Sequence, residues 1–136
     1  MSYISRNLET VVENVTREYP VVLVTGPRQV GKTTMLQKLM KNHPRSYVTL
    51  DDLTERDLAK NDPELFLQLH KPPILIDEVQ YAPELFTYIK IYVDSHQEPG
   101  AFWLIGSQIF KLMRDVQESL AGRVAVLSMT SLSQSE

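Results

Sequence analysis

The stretch TGPRQVGKTTM, residues 25–35, brings two glycines, an ammonium and two hydroxyls into one short loop. Gly26 and Gly31 stand five residues apart, and Lys32, Thr33 and Thr34 follow at once. A turn alone needs one glycine. Two at this spacing let a loop curl, so that the segment Gly26, Pro27, Arg28, Gln29, Val30, Gly31 wraps an anion with its N–H groups inward. The start of the following helix adds unpaired N–H groups and the positive end of a dipole. In this pattern Lys32 reaches the β- and γ-phosphates as a mobile point charge, and the Thr33 hydroxyl takes one position on Mg²⁺. Thr34 is expected to make an auxiliary phosphate contact.

Two further stretches carry groups that match such a loop. ILIDEVQ, residues 74–80, is an apolar run that ends in two carboxylates. In a parallel sheet, ligands bind beyond the carboxyl ends of the strands, so Asp77 and Glu78 emerge on the rim that holds the phosphate loop. Asp77 suits an outer ligand of Mg²⁺, and Glu78 suits the base that polarises an attacking water. WLIGSQ, residues 103–108, ends another apolar run with polar groups. If this strand lies between the other two, Ser107 or Gln108 faces the γ-phosphate; otherwise Ser107 caps the next helix.

These groups need a scaffold, and the chain provides one by alternation. Leu8, Val11, Val12, Val15 and Tyr19 recur at helical spacing, which predicts an amphipathic helix over 5–18. VVLVTG at 21–26 is a run of apolar, β-branched residues without polar alternation, as in a strand buried on both faces. Helical pattern resumes from Lys32, a strand is expected at 46–50, and short helices at 54–60 and 63–70. Asp62 and Pro63 form the N-cap and first position of the second of these. Strands follow at 73–77, 101–106 and 123–129, with helices from Pro83 and from Ser107 to Leu120 between them. The result is an α/β domain layered around a mainly parallel sheet. Residues 1–18 read as a helix packed on the domain, 19–130 as the core, and the polar 131–136 as the start of a linker to a C-terminal region absent from this chain.

Composition narrows the function classes. The chain has 136 residues, 43% hydrophobic and 23% charged, within the globular range. A net charge of −3 gives no basic stripe of the kind a duplex binder shows, so nucleic acid is not supported as a partner. With no cysteine, disulfides and thiolate metal sites are excluded. No stretch approaches the ~18 apolar residues of a membrane helix, and a cytoplasmic location is expected.

Taken together, GPRQVGKTT, IDEVQYAPEL, IGSQ and ESLAGR closely resemble the ATPase domain of a prokaryotic AAA-type family. Its members usually join this domain to a C-terminal domain of uncharacterised function. The resemblance implies a three-layer αβα P-loop NTPase with a five-stranded sheet in the order 5-1-4-3-2, ATP and Mg²⁺ as ligands, and a homo-oligomer in the full-length protein. It carries roles to Gly26, Gly31, Lys32, Thr33, Asp77 and Glu78. It also draws attention to Arg123 just before the fifth strand, where such ATPases often place an arginine that acts on a neighbour's γ-phosphate. The alternative for Arg123 is a structural pair with Asp115 or Glu118; for Arg28 it is a salt bridge to Asp51 or Asp52.

The leading expectation is ATP hydrolysis with Glu78, Lys32 and Arg123 as catalytic groups. A nucleotide-dependent switch with negligible turnover and a P-loop phosphotransferase remain as alternatives. His43, His70 and His96 read as helix-end cations, Trp103 as core, and Phe66, Phe86 and Phe110 as packing between helix and sheet.

Overall fold

Strands buried on both faces must send alternate side chains into two different cores, and the computed structural model shows this in β1 (Val21–Thr25). Val21 and Leu23 point into one apolar cluster, Val22 and Val24 into the other. The same division runs through β3 (Ile74–Asp77), with Ile74 and Ile76 against Leu75, and through β4 (Phe102–Gly106), with Phe102 and Leu104 against Trp103 and Ile105. With β2 (Ser46–Thr49) and β5 (Val124–Ser128) these form one parallel sheet in the order β2-β3-β4-β1-β5. The expected order is therefore the observed one, and β4 lies between β1 and β3. The structure describes residues 2–27, 31–107 and 109–129, with side chains from residue 8 onward.

Helices cover both faces. α1 (Ser2–Val15) and α2 (Lys32–Leu39) supply Val12, Met35, Leu36 and Leu39 to the cluster that holds Trp103. Trp103 is fully buried, and its indole N–H donates to Thr16 Oγ1 at 2.9 Å, so the one polar atom of this side chain is satisfied. On the other face lie α3 (Leu53–Asn61), α4 (Pro63–Leu69), α5 (Leu85–His96) and α6 (Phe110–Leu120). They contribute Ala59, Phe66, Phe86, Ile89, Leu112 and Val116, among others, to the larger cluster. No helix among the described residues is long and apolar enough to cross a membrane.

Local signals set the starts of α3 and α4. Asp52 accepts from the Thr54 and Glu55 N–H groups, and Asp62 accepts from Leu65 N–H at 3.2 Å with Pro63 in the first turn, as expected. The last helix differs from expectation. α6 begins at Phe110 after an extended Ile109, so Ser107 is not its cap. Phe110 is also not core: it is 83% exposed. Leu112, Val116 and Leu120 define the buried stripe of α6, and Phe110, two positions before Leu112, lies roughly 200° around the helix from it.

Candidate functional site

Because all five strands run parallel, their carboxyl ends share one rim. Thr25 stands opposite Gly106 and Ser128, and Asp77 opposite Thr49. Three of the stretches expected to bear chemistry therefore meet: the loop after β1, the acids after β3 and the end of β4.

The two loop glycines answer different needs. At Gly26 (φ 150°) a Cβ would collide with the Met129 carbonyl oxygen, since the chain beyond β5 lies directly against the loop. Met129 N–H in turn donates to Thr25 O at 2.8 Å. Gly31 caps α2 with φ 86°, and a Cβ there would have no neighbour closer than the Met129 side chain at 3.9 Å. Gly31→Ala thus meets only the left-handed backbone penalty, about 1 kcal/mol. Gly26→Ala adds a steric conflict with backbone and is expected to cost about 3 kcal/mol. Urea midpoints of the two variants at unchanged m value check this order; equal midpoints would contradict it.

Beyond Gly31, α2 starts without a side-chain cap and without an acidic residue in its first turn. α3 and α4 close their own N-termini with Asp52 and Asp62. No side chain caps the start of α2, and a helix N-terminus of that kind suits an anion. Lys32 is buried, 7% exposed, and its Nζ donates to Gly26 O at 2.9 Å and Pro27 O at 2.8 Å. The ammonium is thus held by two carbonyl dipoles just beyond β1. Thr34 is exposed on the same helix.

Thr33 Oγ1 donates to Asp77 Oδ2 at 2.8 Å. The same oxygen accepts from the Tyr47 hydroxyl, also at 2.8 Å. Asp77 is 5% exposed, and its other oxygen, Oδ1, is buried with no hydrogen-bond partner. A buried carboxylate oxygen without a donor is costly, and it calls for a cation or an ordered water. A hydroxyl that gives its proton to Asp77 also keeps its lone pairs outward. The donor set of Thr33 and Asp77, hard oxygens only, fits Mg²⁺.

Tyr47 has no counterpart in the sequence reading. Burial, and then the Asp77 carboxylate it faces, push its phenol up to about 12. It therefore stays a donor to Asp77 throughout the neutral range. Nothing in its neighbourhood on β2 marks it; only the pairing of β2 with β3 brings it to the acid.

Glu78 leaves the sheet in the left-handed region, φ 59° and ψ 46°, before a single 3₁₀ turn at Val79–Tyr81. A non-glycine residue there carries about 1–3 kcal/mol of strain, a cost typical of functional positions. Gln80 Nε2 donates to Glu78 Oε1 at 2.7 Å, and Gln80 Oε1 accepts from the backbone N–H of Ser107 at 3.2 Å. Ser107 is thus at the site through its backbone.

Arg123 is not with these groups. It precedes β5, and Val21 pairs with Val124 while Thr25 pairs with Ser128, so it sits at the opposite rim, about 16 Å along the strands. Its Nε and Nη2 form a fork on Asp94 at 2.7 and 3.0 Å, and these bonds hold Asp94 below the usual carboxylate range. The partner is neither Asp115 nor Glu118 as expected. Asp115 is taken by Lys111 one turn earlier on α6, whereas Asp94 of α5 faces the start of β5. Arg28, Gln29 and Val30 of the loop, Gln108 after β4 and the 131–136 tail lie outside the described residues.

A hollow of about 480 Å³ between α4 and α5 is lined by Leu67, Lys71, Tyr88, Tyr92 and His96, among others, and involves none of the rim residues. Two of the three histidines have hydrogen-bond partners: His70 Nε2 meets Glu55 Oε1 at 2.8 Å and His96 Nδ1 meets Tyr92 O at 3.0 Å.

A family model described as an AAA domain matches residues 18–136. Uncharacterized proteins of Mycobacterium bovis and Mycobacterium tuberculosis are each 40% identical over 114 residues, 83% of this chain. The chain spans about a quarter, 25%, of the length of these curated relatives. Among solved structures, a Walker-type ATPase of Pyrococcus abyssi is 18% identical with a TM-score of 0.58, covering 94% of this chain and 52% of its own. A DNA replication initiation factor is 16% identical with a TM-score of 0.54, covering 89% of this chain and 44% of its own. At those identities the likeness speaks for the fold.

Proposed function

This chain belongs to the AAA-domain family of P-loop ATPases, and from that premise we propose that it binds ATP with Mg²⁺ and hydrolyses it at the rim formed by β1, β3 and β4. The observation that carries the reading is the state of Asp77. One oxygen is engaged by Thr33 and Tyr47, and the other is buried without a hydrogen-bond partner, near a helix start that no side chain caps.

In this reading the N–H groups at the start of α2 bind the phosphates, and Lys32 exchanges the Gly26 and Pro27 carbonyls for β- and γ-phosphate oxygens. Thr33 and Asp77 would hold Mg²⁺, which would supply positive charge against those oxygens. Glu78 orients a water whose oxygen forms the new bond to the γ-phosphorus. The bond from that phosphorus to the bridging oxygen breaks, ADP leaves, and Glu78 takes the proton. Arg123 has no part in its own chain's site. Its charge-stabilising role is confined to the site of a neighbouring copy, and the pair with Asp94 must first open.

Titration calorimetry of ATP and ADP, each with and without Mg²⁺, tests the proposal. ATP should bind more tightly with Mg²⁺ than without, and absence of binding under both conditions would refute it. Tyr47→Phe removes one donor from Asp77 and is expected to raise the Mg²⁺ needed for half-maximal ATP binding about tenfold. An unchanged requirement would show that Thr33 alone orients the carboxylate.

A further inference from the structure

Gln80 lies across the gap between the ends of β3 and β4. The left-handed turn at Glu78 and the single 3₁₀ turn after it fold the chain back, so that three residues beyond the strand the Gln80 side chain reaches Ser107. Its two ends are used differently. The NH₂ group donates to Glu78 Oε1 at 2.7 Å, and the carbonyl accepts the Ser107 N–H at 3.2 Å. Chemistry fixes this orientation: a flipped amide would set oxygen against carboxylate oxygen and NH₂ against N–H. The end of β4 makes room for it. A Cβ on Gly106 would stand 2.7 Å from Leu112, tighter than side chains tolerate, and 3.2 Å from Gln80 Oε1, which would have to give way slightly.

Building on the reading of Glu78 as the group that orients water, we propose that Gln80 is a positioning residue, a tether that sets the aim of the Glu78 carboxylate by the backbone at the end of β4. Glu side chains have three rotatable bonds, and a base aimed poorly by about 1 Å can lose about a hundredfold in rate. The 2.7 Å bond to a carboxylate is of the short, charge-assisted kind that restricts this freedom. β4 lies between the strand that leads into the phosphate loop and the strand that carries the acids. The tether therefore refers the carboxylate to the segment of sheet that separates the two.

Two substitutions in the full-length protein separate this role from packing. Gln80→Met keeps length and approximate volume and removes both hydrogen bonds. Gln80→Glu keeps an acceptor for Ser107 but sets a second carboxylate against Glu78. Both are expected to lower kcat for ATP hydrolysis about tenfold to a hundredfold, with the ATP dissociation constant unchanged. A residue that merely packs would lower thermal stability in Gln80→Glu and leave kcat intact in Gln80→Met.

Amide spectra of the nucleotide-free protein give a reading independent of turnover. Glu78→Ala should shift the Ser107 N–H resonance, and in the Gln80→Met background the same change should leave it in place. Wild-type kcat in Gln80→Met, or a Ser107 response that survives that background, would overturn the tether. If the wild type hydrolyses ATP and Glu78→Gln does not, while Gln80→Met is unaffected, the tether alone fails. If the wild type shows no Mg²⁺-dependent turnover, the reading of Glu78 fails, and the spectra decide whether the tether exists.

Discussion

Lys32→Ala should weaken ATP binding at least about thirty-fold. The ammonium is nearly fully buried and already held by two loop carbonyls, so it needs little further ordering when a phosphate arrives. Truncating one partner of a buried, hydrogen-bonded charge pair costs about 2–5 kcal/mol, which corresponds to between roughly thirty-fold and several thousand-fold in affinity. The substitution leaves the fold in place. Met35, Leu36 and Leu39, not Lys32, anchor α2 in its cluster, and losing the ammonium frees the Gly26 and Pro27 carbonyls to water. Calorimetry checks the affinity and thermal unfolding the fold. ATP binding within about threefold of wild type would be too small a loss for a buried charge pair, and it would mean that the loop does not hold the phosphates.

Glu78→Gln should separate binding from turnover. The amide matches the carboxylate in size and can still accept from Gln80, so the turn and the rim survive. It cannot take a proton from water. General-base catalysis contributes about 10²–10⁴-fold, and hydrolysis should fall by that factor while ATP affinity holds. Single-turnover and steady-state rates together check this, and they also separate an ATPase from a nucleotide-dependent switch. A switch would bind ATP and show negligible turnover in the wild type as well as in the variant. Normal hydrolysis by Glu78→Gln would remove Glu78 from the chemistry.

The fold was legible where one local signal outweighed the rest. VVLVTG reads as a doubly buried strand from its apolar, β-branched residues, and the five that form β1 are all buried. Asp62-Pro63 starts a helix by capping geometry that needs no tertiary contact. The order of the strands came from resemblance to a family and not from any pairing rule within the chain. The two misses have different causes, one within a helix and one between elements far apart in sequence. Phe110 follows an apolar strand and looks like core, yet the stripe of α6 is set by Leu112, Val116 and Leu120, which turn it outward. Arg123 pairs with Asp94, 29 residues away, because α5 lies beside the start of β5.

The candidate site divides in the same way. Lys32, Thr33, Asp77 and Glu78 are identified by spacing and by their place at strand ends, and the structure brings them to one rim. Tyr47 and Gln80 carry no such mark. Tyr47 matters because β2 pairs with β3, and Gln80 because Glu78 adopts a left-handed turn. A tyrosine on a neighbouring strand and a glutamine two positions after an acid are too common to single out without that geometry.

The central claim is that the loop between β1 and α2 wraps a triphosphate beside Asp77. A crystal structure of the protein with Mg²⁺ and a non-hydrolysable ATP analogue tests it most directly. The account predicts Lys32 Nζ on phosphate oxygens in place of the Gly26 and Pro27 carbonyls, and a cation against Thr33 Oγ1 on the side of Asp77 Oδ1. A nucleotide bound elsewhere, with Lys32 still on its two carbonyls and Asp77 Oδ1 still unpartnered, would contradict it.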